Sequence, residues 1–256
     1  MNINILLDRF ICILFCIFLT YIYMKIFASG SCRLVSTINN GHDKVVPIHS
    51  MFYNFVGVNF LGKLHNTKQH IQFIKFIKDE ITLPNDILSK YLTSYWGNSE
   101  CEDISLLPIK KKNIKNQFDE CEWYLFEICS LKLYKNNGFE VHYELTNEYE
   151  CILQTEEELL EDLQVIRHLI PSNKKILFQV HFRPNIIYND NNKTIEKREI
   201  IYNSITKFCE KNENTFIYDP SILIQSNHSL FDGDTHFTYN GHIESFNYIY
   251  NNYLIK

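Results

Sequence analysis

No Cys-x-x-Cys pair occurs in this sequence, although it holds eight cysteines, at Cys12, Cys16, Cys32, Cys101, Cys121, Cys129, Cys151 and Cys209. The spacing that a structural zinc site or a redox dithiol uses is therefore missing. Several of these thiols lie inside apolar runs, where cysteine packs as a small hydrophobe. That pattern favours a reducing compartment over a disulfide framework. Glycine and proline are scarce, at 8 and 6 residues, beside an abundance of Ile, Asn, Lys and Tyr. This bias reflects AT-rich coding and concerns the genome rather than the mechanism. A surplus of positive charge is lacking too: 25 Lys and Arg face 30 Asp and Glu, for a net charge of -5. Nucleic acid as a partner has no electrostatic support. The one basic run, residues 110–112 with Lys115, is short and reads as a solvated loop. His49, His65 and His70 show no metal-ligand spacing with nearby acids, and Asp190 and Asp219 read as solvated turn formers. The sequence asks for no metal and no cofactor.

An apolar run of bilayer length is also absent. Residues 10–24 are almost wholly apolar, but Asp8 and Arg9 cut them off from Ile5 and Leu7, and the uninterrupted part falls short of the roughly 20 residues that cross a bilayer core. Two readings stand: a hydrophobic anchor, or an extension upstream of a start at Met24. The first places the chain on a membrane through residues 1–24 only, the second in the cytoplasm. Cleaved secretion fits poorly, because cleavage at Ala28-Ser29-Gly30 would destroy the strand expected there.

What is present is enough for one folded unit. At 256 residues the chain can bury a full core as a single domain over residues 25–256. Abundant Tyr and Phe argue against disorder over most of its length. Thr155 and Glu158 form a capping box ahead of Leu159, Leu160, Leu163, Ile166 and Leu169, which predicts a helix ended by Pro171. Residues 176–180 read as a buried strand, 194–212 as an amphipathic helix, 215–218 as a strand and 241–253 as an aromatic-rich closing helix. Earlier, residues 26–28 and 123–129 read as strands, 45–49 as another, and Asn66 and Thr67 cap a helix whose apolar face carries Ile71, Ile74, Phe76 and Ile77. Helix and strand alternate through the second half with no hairpin signal read there. That order predicts an α/β fold of three layers, α/β/α, around a mainly parallel sheet.

In such a sheet, ligands sit beyond the carboxyl ends of the strands. Four chemistry-bearing groups fall there: Ser31, Glu127 with Ser130, His181 with Arg183, and the loop from Asp232 to His236. Ser31 follows a short apolar run and Gly30, the pattern of a strand that delivers a serine into a tight turn opening a helix. Such a turn exposes a hydroxyl and leaves backbone N–H groups to hold an oxyanion. Gly-Ser after an apolar run is more often only a turn. The Asp and His residues near the far end, Asp232, Asp234, His236 and His242, supply the base and orienter that a serine nucleophile needs. Glu127 inside an apolar strand is expensive unless paired. Arg33 and Arg183 either bind an anionic substrate or pair with that carboxylate. His181 and His242 read as framework histidines.

Two blocks, Ala28-Ser29-Gly30-Ser31-Cys32-Arg33 and Asp232-Gly233-Asp234-Thr235-His236-Phe237-Thr238 with Gly241 behind it, resemble the SGNH/GDSL hydrolase superfamily, in particular members whose first block reads Gly-Ser-Cys. The resemblance covers about residue 25 to the end and implies a flavodoxin-like three-layer fold, Ser31 as nucleophile and His236 as base. It implies an ester hydrolase or O-acyltransferase acting on a small-molecule or glycan ester. The family aspartate lies three positions before the histidine, where this chain has Gly233. Asp232 and Asp234 flank that position, and Asp232 is the preferred orienter. Gly57 or Gly62 stands for the family's oxyanion glycine. The family's Gly-x-Asn-Asp block is missing, with Glu127 to Ser130 at the comparable strand end. That departure keeps a non-catalytic binding protein open as the rival reading.

Overall fold

The computed structural model describes residues 24–40, 64–85, 87, 115–116, 118–141, 149–183, 193–233 and 236–256. The expected strand at 45–49, the glycines Gly57 and Gly62, Asp234, the basic run 110–112 and the apolar residues 1–23 lie outside them. No helix among the described residues is long and apolar enough to cross a membrane.

The fold is α/β, built on a four-stranded parallel sheet. Its strands are β1 (Ile26–Ser29), β2 (Trp123–Ile128), β6 (Lys175–Val180) and β7 (Thr215–Tyr218), in the order β1-β2-β6-β7. β1, β2 and β6 are buried on both faces and mostly apolar, with Glu127 and Gln179 as polar exceptions, and the two-residue period sorts side chains between two clusters. Phe27, Tyr124, Phe126 and Phe178 pack on one face against Ile74, Leu163 and Ile205. These last three belong to α2 (Thr67–Ile77), α3 (Glu156–Leu169) and α4 (Lys193–Lys211). Ile26, Ala28, Leu125 and Leu177 pack on the other against Leu34 and Phe246, which belong to α1 (Cys32–Asn40) and α6 (Tyr239–Ile249). The same alternation carries Ser29 to the α2 side and Glu127 to the α1 side.

Local signals explain most boundaries. Asn66 caps α2 by accepting the Gln69 N–H at 2.9 Å. Thr155 and Glu158 form the reciprocal capping box of α3, at 3.2 and 2.9 Å. Thr238 caps α6 by accepting the Gly241 N–H.

Two further small sheets stand apart from the parallel one and are antiparallel, which corrects the expectation of a second half without hairpins. β3 (Lys132–Asn136), β4 (Phe139–Glu140) and β5 (Glu150–Leu153) form an antiparallel sheet. Its turn is Asn137-Gly138, with φ of 51° and 82°, the Asn-Gly pair that a tight hairpin favours. That pair was readable in the sequence as a hairpin signal. A second hairpin joins β8 (Phe231–Asp232) to β9 (His236–Phe237), between the short helix α5 (Ser221–Ser226) with its following 3-10 turn (His228–Leu230) and α6.

Candidate functional site

β1 ends at Ser29, the backbone turns at Gly30 and Ser31, and α1 begins at Cys32. A Cβ on Gly30 would lie 2.6 Å from the Glu127 Cβ, so only glycine lets the turn pass this close to β2. Glu127 then fills the turn. Its Oε2 accepts the Ser31 N–H at 2.7 Å and its Oε1 accepts the Arg33 Nε–H at 2.6 Å. Glu127 is 0% exposed and Arg33 6%, so each is the counter-charge that makes the other's burial tolerable. Glu127, expensive on sequence grounds, is thus paired, and Arg33 is its partner.

This arrangement changes the expectation for the serine turn. The Ser31 N–H is committed to Glu127, and Ser31 itself is 2% exposed. Its Oγ accepts the Arg33 backbone N–H at 3.3 Å.

The far end of the chain reaches the same face. Asp232 and His236 stand opposite each other in the β8–β9 ladder, where facing side chains lie about 5 Å apart. Both are exposed. Gly233 carries φ of 62° in the loop between them. Behind the hairpin, α6 supplies His242, whose Nδ1 lies 3.0 Å from the Thr37 Oγ1. Because the Thr37 hydroxyl donates to the Arg33 carbonyl, Thr37 accepts from His242, which places the proton on Nδ1 and a lone pair on Nε2. The His242 pKa falls to about 4, chiefly through burial and then through the neighbouring His236, with Glu127 opposing. His242 thus joins Thr37 of α1 to Phe237 of the terminal hairpin, whose ring centre lies 5.3 Å from its own.

A serine–histidine pair does form on the opposite face, where the sequence shows only a histidine on an apolar helix face. Ser29 Oγ is 3.0 Å from His70 Nδ1, and His70 Nε2 is 3.0 Å from the Glu127 carbonyl. The carbonyl can only accept, so Nε2 carries the proton and the Ser29 hydroxyl donates to Nδ1. Both side chains are buried; the pair ties α2 to β1 and β2. Burial lowers the His70 pKa from 6.5 to about 4, against the raising effect of the Glu127 backbone bond. The folded protein therefore holds this proton less tightly than the unfolded chain does. The stability tied to neutral His70 is whole above pH 6.5 and is lost as the pH falls toward 4, by about 3 kcal/mol. Urea unfolding at pH 7.5 and 4.5 is expected to show a smaller acid loss in His70→Gln than in the parent. Identical losses in the two proteins would rule this histidine out as the cause.

Gln179 stands beside Glu127 in the sheet register and is 1% exposed, and neither amide atom has a hydrogen-bond partner among the described residues. Arg183 does not pair with Glu127 among the described residues. Its guanidinium binds Asp219 and Glu199 and lies 3.7 Å from the Tyr202 ring centre. Asp219, expected as a solvated turn former, is instead 5% exposed and also accepts the Ser221 N–H.

His181 and Ser130 line a cleft of about 640 Å³ at the carboxyl ends of β2 and β6, into which Arg33 also projects. Ser130 Oγ accepts the Lys132 N–H. His181 Nε2 is 3.3 Å from Arg198 Nη2, and its Nδ1 is 3.3 Å from the Phe182 carbonyl. A guanidinium only donates, so Nε2 accepts and the Nδ1 proton faces the carbonyl. Burial holds the His181 pKa well below the ordinary value, with the Arg33 and Arg198 charges adding to the effect. Cys129, also in the cleft wall, has its thiol pushed up to about 12 by burial, so it is no thiolate nucleophile at neutral pH. No group of three or more His, Cys, Asp or Glu residues suited to a metal occurs among the described residues.

No protein-family model matches the chain, and neither a curated protein nor a solved structure does.

Proposed function

We propose that this chain is a serine-dependent acyl-transfer enzyme of SGNH type, an ester hydrolase or an O-acyltransferase, with a three-layer α/β/α core and Ser31 as nucleophile. The observation that carries the reading is His242: bonded to Thr37 of α1, it lies within electrostatic range of both His236 and Glu127. His242 also packs on Phe237 of the terminal hairpin, which supports a hairpin brought toward the serine turn, the arrangement that a nucleophile and its base need.

On this reading His236 accepts the Ser31 proton, Asp232 across the ladder orients the imidazole, and Ser31 Oγ attacks the carbonyl of an ester. The Ser31 N–H is held by Glu127 and the Arg33 N–H by the Ser31 Oγ, so the oxyanion donor falls to the glycine that the resemblance assigns, Gly57 or Gly62, both outside the described residues. Water or a sugar hydroxyl then accepts the acyl group. Asp234 is the alternative orienter.

A non-catalytic binding protein is the second reading, favoured by the near-complete burial of Ser31 and the commitment of its N–H. Fluorophosphonate labelling of the full chain separates the two. Labelling is expected in the parent, absent in Ser31→Ala, and at least about a hundredfold slower in His236→Ala, the usual loss for a general base. A stronger effect of His242→Ala than of His236→Ala would transfer the base role to His242. A folded parent that takes no label ends the hydrolase reading.

A further inference from the structure

Gln179 holds a polar group with nothing to bond to. It is 1% exposed, and neither its Nε2 nor its Oε1 has a hydrogen-bond partner among the described residues. A dry amide left in this way bears its desolvation cost without return. A leucine of similar size would bear none.

Its place in the sheet supplies a use for it. Partners in the β2–β6 register share a face: Phe126 and Phe178 fall in one core cluster, Leu125 and Leu177 in the other. The same alternation puts Gln179 on the α1 side, beside Glu127 on one flank and Tyr218 on the other. The Tyr218 hydroxyl is engaged with Ser245 at 2.9 Å. Glu127 is engaged at both oxygens, Oε1 on the Arg33 Nε–H and Oε2 on the Ser31 N–H. Neighbouring strands lie about 4.8 Å apart, so a turn of the Glu127 side chain about its bond to Arg33 carries Oε2 from the serine turn to the Gln179 amide.

We propose that Gln179 is a positioning residue for the Ser31 reaction: it takes over Glu127 Oε2 when a substrate oxygen takes the Ser31 N–H. The role rests on Ser31 being the nucleophile. In the resting chain the Ser31 N–H is satisfied and the Gln179 amide is not. As the bond from Oγ to the carbonyl carbon forms, the Oγ proton passes to His236 and the carbonyl π pair moves onto its oxygen. That oxyanion draws the Ser31 N–H away from Glu127, and the Gln179 Nε2–H replaces it on the carboxylate. The new bond is charge-assisted, roughly twice as strong as a neutral one. Glu127 keeps two donors throughout, and the Ser31 N–H becomes an oxyanion donor only when charge develops. The cost of the orphaned amide is relieved in the transition state rather than in the ground state, which is where relief speeds a reaction.

Fluorophosphonate labelling of the full chain, with the inactivation rate separated from reagent affinity, tests this in Gln179→Leu and Gln179→Met. Both variants should label about tenfold more slowly at saturating reagent, the loss of one hydrogen bond, with reagent affinity unchanged. Both should unfold at a urea concentration no lower than the parent's, because an orphaned amide is gone. In the parent, the Gln179 side-chain NH2 resonances, identified by their loss in Gln179→Leu, should move downfield on labelling, the phosphonyl oxygen standing in for the oxyanion. Unmoved resonances overturn the proposal even where the rate falls, since the loss is then structural. Equal labelling rates overturn it and leave Ser31 as the nucleophile. Failure of both variants to fold overturns it as well, by showing that the resting chain already uses the amide. A folded parent that takes no label removes the Ser31 reading and this role together.

Discussion

Glu127→Ala is expected to lower the unfolding free energy by about 3–5 kcal/mol, the usual cost of leaving a buried charge without its partner. Arg33, 6% exposed, would lose the carboxylate 2.6 Å from its Nε, and the Ser31 N–H would lose its acceptor at 2.7 Å. Urea denaturation reads the loss. A double-mutant cycle with Arg33→Met identifies its source, because removing both charges removes the stranded one as well. The double variant should therefore be more stable than Glu127→Ala alone. If Arg33→Met instead adds a further loss on top of Glu127→Ala, the unpaired charge is not the cause. The same variant bears on chemistry, since the carboxylate sets the conformation of the serine turn. Any Ser31 labelling in the parent should fall in Glu127→Ala even where the protein remains folded.

Gly241→Ala is expected to cost about 3 kcal/mol or more, at the upper end of what overpacking does. A Cβ at this position would sit 2.1 Å from the Leu230 carbonyl oxygen and 2.8 Å from the Phe237 ring. The carbonyl cannot retreat cheaply, because it accepts the Thr238 N–H at 3.0 Å, and Thr238 in turn caps α6. Relief must come from moving α6 away from the segment that leads into the Asp232–His236 hairpin. The variant should show a lower melting temperature and a changed His236 environment, readable from the imidazole resonances by NMR. An unchanged melting temperature would show that the contact yields without cost.

The strands and long helices were legible for a simple reason. Residues 176–180 are apolar enough to be buried on both faces, and Thr155 with Glu158 is a local signal that needs nothing from the rest of the chain. The antiparallel strands carry little signal beyond Asn137-Gly138, because β5 is exposed at all four positions and its apolar run, Cys151 to Leu153, is too short to announce a strand. Within the site, Ser31, Glu127 and Asp232 with His236 could be named from local pattern and resemblance. The pairing of Glu127 with Arg33 was open as one of two options, and Arg183 had the same two. Only the fold sends Arg33 to Glu127 and Arg183 to Asp219 and Glu199. His70 and Arg198 drew no functional reading, because their partners, Ser29 and Phe182, lie 41 and 16 residues away.

The sequence by itself determined the α/β character of the chain, the placing of Ser31 at a strand-to-helix turn, and the cost of a carboxylate at position 127. Each follows from interactions within a few residues: side-chain period, caps and turn formers. The tertiary structure alone decided that Glu127 binds the Ser31 N–H, that His242 meets Thr37 of α1 and Phe237 of the hairpin, and that four cations from three elements line one cleft. Those outcomes depend on strand order and on which face each residue of a two-residue period presents, and no local pattern carries either.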